Sequence, residues 1–462
     1  MNDPNGMVYF NHTYHLFFQY YPGATVWGPM HWGHATSTDL IHWKQLPIAL
    51  YPDSLGYIFS GSAVVDTHNT SSFGKNGKTP LVAIFTHHDP KGAAENKNNF
   101  QNESLAYSLD NGATWTKYAG NPVLKNPGIT DFRDPKVMWF ESGKKWIMTL
   151  AVKDHINFYS SADLKSWKKL SEFGMGIGAH GGVWECPDLF PLKLNGKTYW
   201  VLIVNINPGG PNGGSATQYF IGQFDGIKFS PIDTHTRWLD YGPDEYAGVT
   251  WNNTGNRRIF LGWMSNWLYA TQVPTKSWRS AMTVPRELKL ADYNNDIIVT
   301  SAPVDELNHL RKKTLAFKSI PVSPKVNLNK MLGDLSTQYT LHLNVGSEQG
   351  ISVELSNTKG EKLTLGYHKG KNEYFIDRTH AGISTFNKDF EGKFTAPRLS
   401  GNKTIRLTLV VDKASVELFA DEGATVMTCI FFPHQPLDKL SIIADKDFEE
   451  TPLSYSPLKP IW

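Results

Sequence analysis

The sequence predicts an all-β protein, a five-bladed β-propeller followed by a C-terminal β-sandwich. Three observations carry that expectation. A polar turn leading into a short apolar strand recurs five times, a Ser/Asp turn closed by Trp follows several copies, and strict apolar alternation begins only beyond about residue 320.

The recurring unit reads NHTYHLFFQY (11–20), NGKTPLVAIFT (76–86), SGKKWIMTLAV (142–152), NGKTYWVLIVN (195–205) and TGNRRIFLGWM (254–264). Measured from Thr13, Lys78, Lys144, Lys197 and Asn256, the intervals are 65, 66, 53 and 59 residues. Each interval holds about four short strands with their connections. The second phrase is STDLIHW (37–43), SLDNGATW (108–115) and SADLKSW (161–167), read as a turn whose Trp packs between sheets. Five hairpins of one large sandwich would also alternate, but even spacing with a recurring turn suits radially repeated four-stranded blades better. The propeller is expected over residues 1–295.

After PRELKL (285–290) the blade pattern stops. Residues 296–320 are expected to form a linker with a short helical stretch, VDELNHLRKK, running into the proline-spaced connector SIPVSPK. From 321 to 462, QYTLHLNV, ISVEL, IRLTLVV and SVELF alternate as half-buried sandwich strands do. This domain is expected to support the propeller, since it has no acid cluster or aromatic ladder that demands a carbohydrate.

A chain of 462 residues with 40% hydrophobic content can bury more than one core. Its net charge of +2 creates no field for nucleic acid or an anionic membrane, which points to a neutral partner. No apolar run is long enough for a membrane span. The only cysteines, Cys186 and Cys429, exclude a disulfide framework or a cysteine metal site and leave one long-range bridge open. Aromatic content is 13%, with 15 Trp; most of these rings are expected in the core, although sugar-binding proteins also need exposed aromatic platforms. No signal peptide is visible, and the start of the sequence almost on top of a motif suggests a processed or trimmed N-terminus.

Three acids stand beside prolines: Asp3 in MNDPNG, Asp134 in FRDPKV and Glu185 in WECPDLF. Taken singly, each reads as a turn residue. Each also sits just before the strand that precedes the repeated hairpin, in the first, third and fourth copies. Innermost propeller strands run along one channel, so the three carboxyl groups are expected at one mouth of it.

In order, MNDPNG, FQYYP, WGPMHWGHATSTDLIHW, FSGSAVV, FRDP and WECPDLF resemble glycoside hydrolase family 32, the invertase, inulinase and levanase family, and the blocks YPDSLGYIFSGSAVV and GGVWECPDLF look most like bacterial levanases. The likeness covers nearly the whole chain, and SVELFADEGATVMTCIFFP resembles the family's sandwich signature. It implies Asp3 as nucleophile, Glu185 as general acid/base and Asp134 as transition-state stabiliser. A retaining glycosidase needs two carboxyl groups about 5–5.5 Å apart, one ionised and one protonated. Repulsion and partial desolvation raise the pKa of the acid to arrange this. By the same matching, Asn2, Gln19, Trp27, Ser60 and Arg133 line the fructose pocket, as do Tyr246 and Trp267, with Trp263 or Trp251 as alternatives to the last.

Other signals are discounted. SLDNGATW has the form of a sialidase Asp-box, but that phrase is a structural turn, and no arginine cluster for a carboxylate accompanies it. His87, His88 and Asp89 of THHDP are not expected to bind metal, because adjacent strand histidines point to opposite faces. The sequons at Asn11, Asn69, Asn102, Asn252 and Asn402 carry no weight. The resulting expectation is a retaining β-fructosidase, secreted or periplasmic, monomeric, exo-acting on levan or inulin and active on sucrose, with neither metal nor cofactor. Endo cleavage and fructosyl transfer are the alternatives within the family. From another class, the rival is a noncatalytic fructan-binding propeller, whose mark would be a missing acid; none is missing.

Overall fold

The computed structural model describes residues 1–293, 295–320, 324–445 and 451–461. Five antiparallel sheets follow one another along the chain, each beginning with the strand nearest the axis: Pro4–Phe10, Tyr57–Val65, Phe132–Phe140, Val183–Leu194 and Tyr246–Thr250. These first strands pack against one another in a ring, from blade 1 through blade 5 and back to blade 1. A parallel bridge of Val8 with Asn252 closes the ring, with Tyr9 N donating to Asn252 O at 2.9 Å. The fifth sheet includes Arg286–Tyr293 and Asp296–Pro303, so the propeller runs past the expected boundary at 295 into the stretch read as linker.

The repeated phrases correspond to defined structures. Asn11 and His12, with φ of 45° and 60°, and Asn195 and Gly196, with φ of 50° and 79°, occupy the left-handed positions of the hairpin between first and second strands. Two-residue hairpins of this hand need positive φ at both central residues, which accounts for the recurrent Asn and Gly. The second strands are covered by neighbouring blades on both faces, so Lys145–Val152 is buried at seven of its eight positions and reads as a continuous apolar run. In the Ser/Asp turns, Ser37, Ser108 and Ser161 donate to Asp39, Asp110 and Asp163, at 3.0, 2.7 and 3.0 Å. Trp43, Trp115 and Trp167 then donate their ring N–H to carbonyls three residues back. Trp43 packs against Trp251 of blade 5, and Trp115 against Phe17 of blade 1.

The helical expectation at VDELNHLRKK is met only by a 3-10 helix, Asp305–Leu310. Its Leu307 and Leu310, three apart and therefore on one side of such a helix, are buried in the propeller's apolar cluster. Residues 321–323 of SIPVSPK lie outside the described residues. Among the described residues two six-stranded sheets form the sandwich, which begins earlier than expected, with Leu315–Phe317 of the stretch read as linker pairing with Leu453–Pro457; the alternating segments are its strands Tyr339–Gly346, Ile351–Ser356, Thr404–Asp412 and Ser415–Ala420. Their inward side chains make one core. Val410, Phe419, Val426 and Leu458 of the sandwich pack instead with Leu16, Phe18 and Trp251 of blades 1 and 5.

Candidate active site

A bulge in every first strand shapes the channel mouth. On blade 3, Arg133 pairs with Ala151 and Lys136 with Thr149, so three steps on one strand face two on the other. The same slip lies between Asn5 and Val8, Ile58 and Gly61, Glu185 and Asp188, and Tyr246 and Val249. In four blades the first bulge residue is left-handed: Gly6 (φ 58°), Asp134 (65°), Cys186 (44°) and Ala247 (53°). For the three non-glycine residues that conformation costs roughly 1–2 kcal/mol each. Side chains of adjacent blades hold the bulged backbone in place. Ser62 Oγ donates to Pro135 O at 2.9 Å and accepts from Val137 N at 2.9 Å, and Asn205 joins Cys186 O, at 2.9 Å, to Gly248 N, at 3.1 Å.

The bulge corrects one expectation. Asp134 and Glu185 do not precede their strands but lie inside them, and the three acids occupy three different registers. Glu185 is the last paired residue before its bulge, Asp134 is itself the bulge residue, and Asp3 stands two residues before Asn5, the equivalent of Glu185. An extra residue re-aims the side chains around it, so positions that alternation would send to opposite faces meet at one mouth.

Arg133, Glu185 and Tyr246 hold the same register in blades 3, 4 and 5, and they touch. Arg133 donates to Glu185 Oε1 from Nη2 at 2.8 Å and from Nε at 3.1 Å, while Nη1 is held by Asp131 at 2.6 Å. The Tyr246 hydroxyl donates to Glu185 Oε2. Burial, and then the Glu185 charge, raise the Tyr246 pKa well above its usual value, so the phenol stays a donor. Asp134 Oδ2 accepts from Cys186 N at 3.1 Å and lies 4.0 Å from Arg133 Nε. Ser60 Oγ donates to Asp3 Oδ2 at 2.7 Å. Cys186 Sγ joins the acids, 3.8 Å from Asp3 Oδ2 and 3.7 Å from Asp134 Oδ2.

The electrostatics follow from three carboxyl groups sharing little more than one guanidinium. Asp3 is pushed up to about 6, by burial first and Glu185 second, against the lowering effect of the Ser60 hydrogen bond. Asp134 is pushed up to about 7, again by burial first, with Arg133 opposing and the two other acids reinforcing. Burial and mutual repulsion thus hold Asp3 and Asp134 above the usual carboxylate range, and their proton uptake belongs to the pair rather than to either acid.

The remaining predicted residues fall into two sets. Asn2 and Gln19 are buried beside Asp3: Gln19 N donates to Asp3 O at 3.0 Å, Gln19 Nε2 to Ile58 O at 3.0 Å, and Asn2 N to Gln19 O at 2.9 Å. Trp27 and Trp267 are outer residues. Trp27, 45% exposed, lies edge-on to Phe59, the neighbour of Ser60, and Trp267 leans on Trp263 at 4.8 Å between ring centroids. Trp251 cannot serve as the alternative platform, because it is buried between blades and its ring N–H donates to His15 O at 2.9 Å.

Several contributors were not singled out as site residues from the sequence. Arg279 donates to Asn2 Oδ1 from 277 residues away. Beneath Asp134, Thr86 Oγ1 accepts Asp134 N at 3.0 Å and donates to Glu103 Oε2 at 2.8 Å, and burial raises the Glu103 pKa well above normal. Cys186, although part of WECPDLF, has no signal in the sequence beyond the general cysteine question of disulfide or metal. The long-range bridge left open is absent: both cysteines are free, Cys186 among the acids and Cys429 beside Arg378 of the sandwich. His87 bonds Ser104 at 2.7 Å while His88 stacks on Phe59 at 4.2 Å, in keeping with opposite faces.

The whole chain has close relatives. Residues 1–302 match the glycosyl hydrolases family 32 N-terminal domain and residues 306–456 the family 32 C terminal. A levanase of Bacillus subtilis is 45% identical over 476 residues, spanning 100% of this chain and 69% of the relative. An extracellular exo-inulinase of Aspergillus niger is 40% identical, spanning 94% of this chain and 87% of the relative. The structure of a β-fructofuranosidase from Schwanniomyces occidentalis complexed with fructosyl-erythritol superposes with a TM-score of 0.89 at 32% identity, covering 100% of this chain and 95% of that one.

Proposed function

This chain belongs to glycosyl hydrolases family 32, as a β-fructosidase related to levanases, exo-inulinases and invertases, and on that premise we propose that it releases fructose, with retention, from the non-reducing ends of fructans such as levan or inulin and from sucrose. The observation that carries the proposal is the meeting of Asp3, Asp134 and Glu185, each with its own polar partners, at one channel mouth.

Asp3 attacks the anomeric carbon as the bond to the leaving oxygen breaks, and Glu185 gives its proton to that oxygen. Ser60 occupies Asp3 Oδ2 and leaves Oδ1 for the attack. In the second step Glu185 takes a proton from water, the water oxygen bonds to the anomeric carbon, and the ester to Asp3 breaks. Arg133 and Tyr246 fix both oxygens of Glu185, which sets the direction of its proton. Asp134 binds sugar hydroxyls more tightly as the ring becomes oxocarbenium-like, stabilisation that is specific to the transition state.

Exo action is supported by the exo-inulinase relative, and an extracytoplasmic location by its being extracellular. Product chromatography on levan, inulin and sucrose tests the reading. Fructose alone from the first time point supports it, early oligosaccharides indicate endo cleavage or transfer, and no turnover of any of the three leaves the binding-propeller alternative.

A further inference from the structure

The segment that carries Tyr246 into the site is held by the sandwich as well as by the propeller, where Leu239 N donates to Thr217 O at 2.9 Å and Asn266 Nδ2 to Pro243 O at 2.7 Å. Residues 239–245 connect blades 4 and 5 without regular structure, yet all of them are buried. A buried irregular segment must find backbone partners elsewhere. It finds them on Thr425–Ile430, the edge strand of one sandwich sheet. Tyr241 N donates to Val426 O at 2.8 Å and Asp244 N to Thr428 O at 3.2 Å. In return, Thr428 N donates to Asp240 Oδ1 at 2.9 Å and Ile430 N to Asp244 Oδ2 at 2.9 Å. The partners 426, 428 and 430 are alternate residues, so the segment lies along the sheet edge as an irregular extra strand. Gly242 permits the approach, since a Cβ there would stand 2.1 Å from Thr428 N and O.

Buried arginines fasten both acids of the segment. Arg286 Nη1 donates to Asp240 Oδ2 at 2.9 Å while its Nη2 bonds Glu417 of the sandwich at 2.6 Å. Arg378, from the sandwich strand Glu373–His380, donates to Asp244 Oδ2 at 2.6 Å. Tyr269 OH fills Asp244 Oδ1 at 2.5 Å and accepts from Arg378 Nη2 at 2.9 Å. Asp244 therefore has Oδ2 held by two sandwich groups, Arg378 and Ile430 N, and Oδ1 by Tyr269 of blade 5, which is itself tied to Arg378. Two residues later comes Tyr246 on Glu185, followed at once by Ala247 in the disfavoured left-handed region. A strand that starts under strain needs an external hold on its leading end.

We propose that Asp244, clamped by Arg378 and the strand Thr425–Ile430 of the sandwich, is a positioning residue that fixes the Tyr246 hydroxyl on Glu185. The sandwich thereby contributes to the propeller's proton transfer as well as to its stability. The inference rests on the acid/base role assigned to Glu185. Loosening the clamp weakens proton delivery to the leaving oxygen, so poor leaving groups suffer most.

The test is a double-mutant cycle of Asp244→Asn with Tyr246→Phe, reading kcat and KM on sucrose and on β-fructosyl fluoride. Asp244→Asn is expected to lower kcat on sucrose about tenfold, with little change in KM or on the fluoride, and to add less than about twofold once Tyr246 is Phe. Equal losses on both substrates, or fully multiplicative effects, would overturn the proposal. If Asp244→Asn does not fold, Tyr269→Phe removes one bond to Asp244 at nearly constant volume, and the same cycle applies. Glu185→Gln run alongside separates the two readings. If it retains sucrose hydrolysis, the acid/base assignment fails and takes this inference with it. If it loses sucrose hydrolysis while the cycle is multiplicative, only the clamp fails.

Discussion

Asp3 stands just before the first strand of blade 1 and Ser60 lies within the first strand of blade 2, and the Ser60 hydroxyl donates to Asp3 Oδ2 at 2.7 Å. That bond opposes the burial that pushes the Asp3 carboxyl up to about 6. Ser60→Ala removes a lowering influence, so the folded pKa of Asp3 rises further. The acidic limb of the kcat/KM profile on sucrose is expected to move to higher pH, and kcat to fall about tenfold as the carboxylate loses its orientation. A limb that stays in place, or moves to lower pH, would separate Ser60 from the group governing that limb.

If Asp3 is the nucleophile, two inversions return the product to the starting β configuration. NMR within the first minutes of a reaction with excess enzyme, before mutarotation, should show β-fructose. Initial α-fructose would mean direct attack by water. The accompanying variant, Asp3→Asn, should abolish turnover with the fold intact, because Asn is as acceptable as Asp next to the strand start.

Asp134→Asn should exchange activity for stability. The folded pKa is about 7 against 3.8 for the unconstrained group. Between those values the native state binds more protons than the unfolded one, so stability falls as pH rises and the loss is complete above about pH 7. An amide has no charge to bury. The variant is expected to melt a few degrees above the parent at pH 8, with the gap closing towards pH 4, while fructan hydrolysis drops by orders of magnitude. A variant that melts below the parent at pH 8 would show that the contacts of the carboxylate outweigh its burial.

The sandwich should not be separable from the propeller. Val410, Phe419, Val426 and Leu458 share a cluster with Leu16, Phe18 and Trp251, and Arg286 would be left without Glu417. Breaking one side of a buried ion pair typically costs about 3–5 kcal/mol. A chain ending at Pro303 is expected to be insoluble or to lack a cooperative melting transition by circular dichroism. A soluble fragment with full sucrose activity and weaker action only on polymer would instead mark the sandwich as a tethered binding module.

Fold class was open to sequence reading because its signals are local. Positive-φ hairpin residues at Asn11 and Asn195, the Ser/Asp turns with their Trp, and the alternation in QYTLHLNV each report on a few adjacent residues. The three acids were legible for the same reason, each standing in a short distinctive phrase, and the order of the phrases carried the family. The sequence even offered Tyr246, although nothing near it pointed to its partner.

What the tertiary structure decided was direction and contact. A single extra residue in each first strand determines which side chains face the mouth, and no pattern in FRDP or WEC reveals where pairing slips. Arg133, Glu185 and Tyr246 meet only because three neighbouring blades bring the same register to one mouth, whereas Trp251 is packed in the interior. The remaining supports join residues remote in the chain, Arg279 to Asn2 across 277 positions and Arg378 to Asp244 across 134. Periodicity describes neighbours a few residues apart, whereas these pairs exist only because the ring of blades closes and the sandwich edge docks against it.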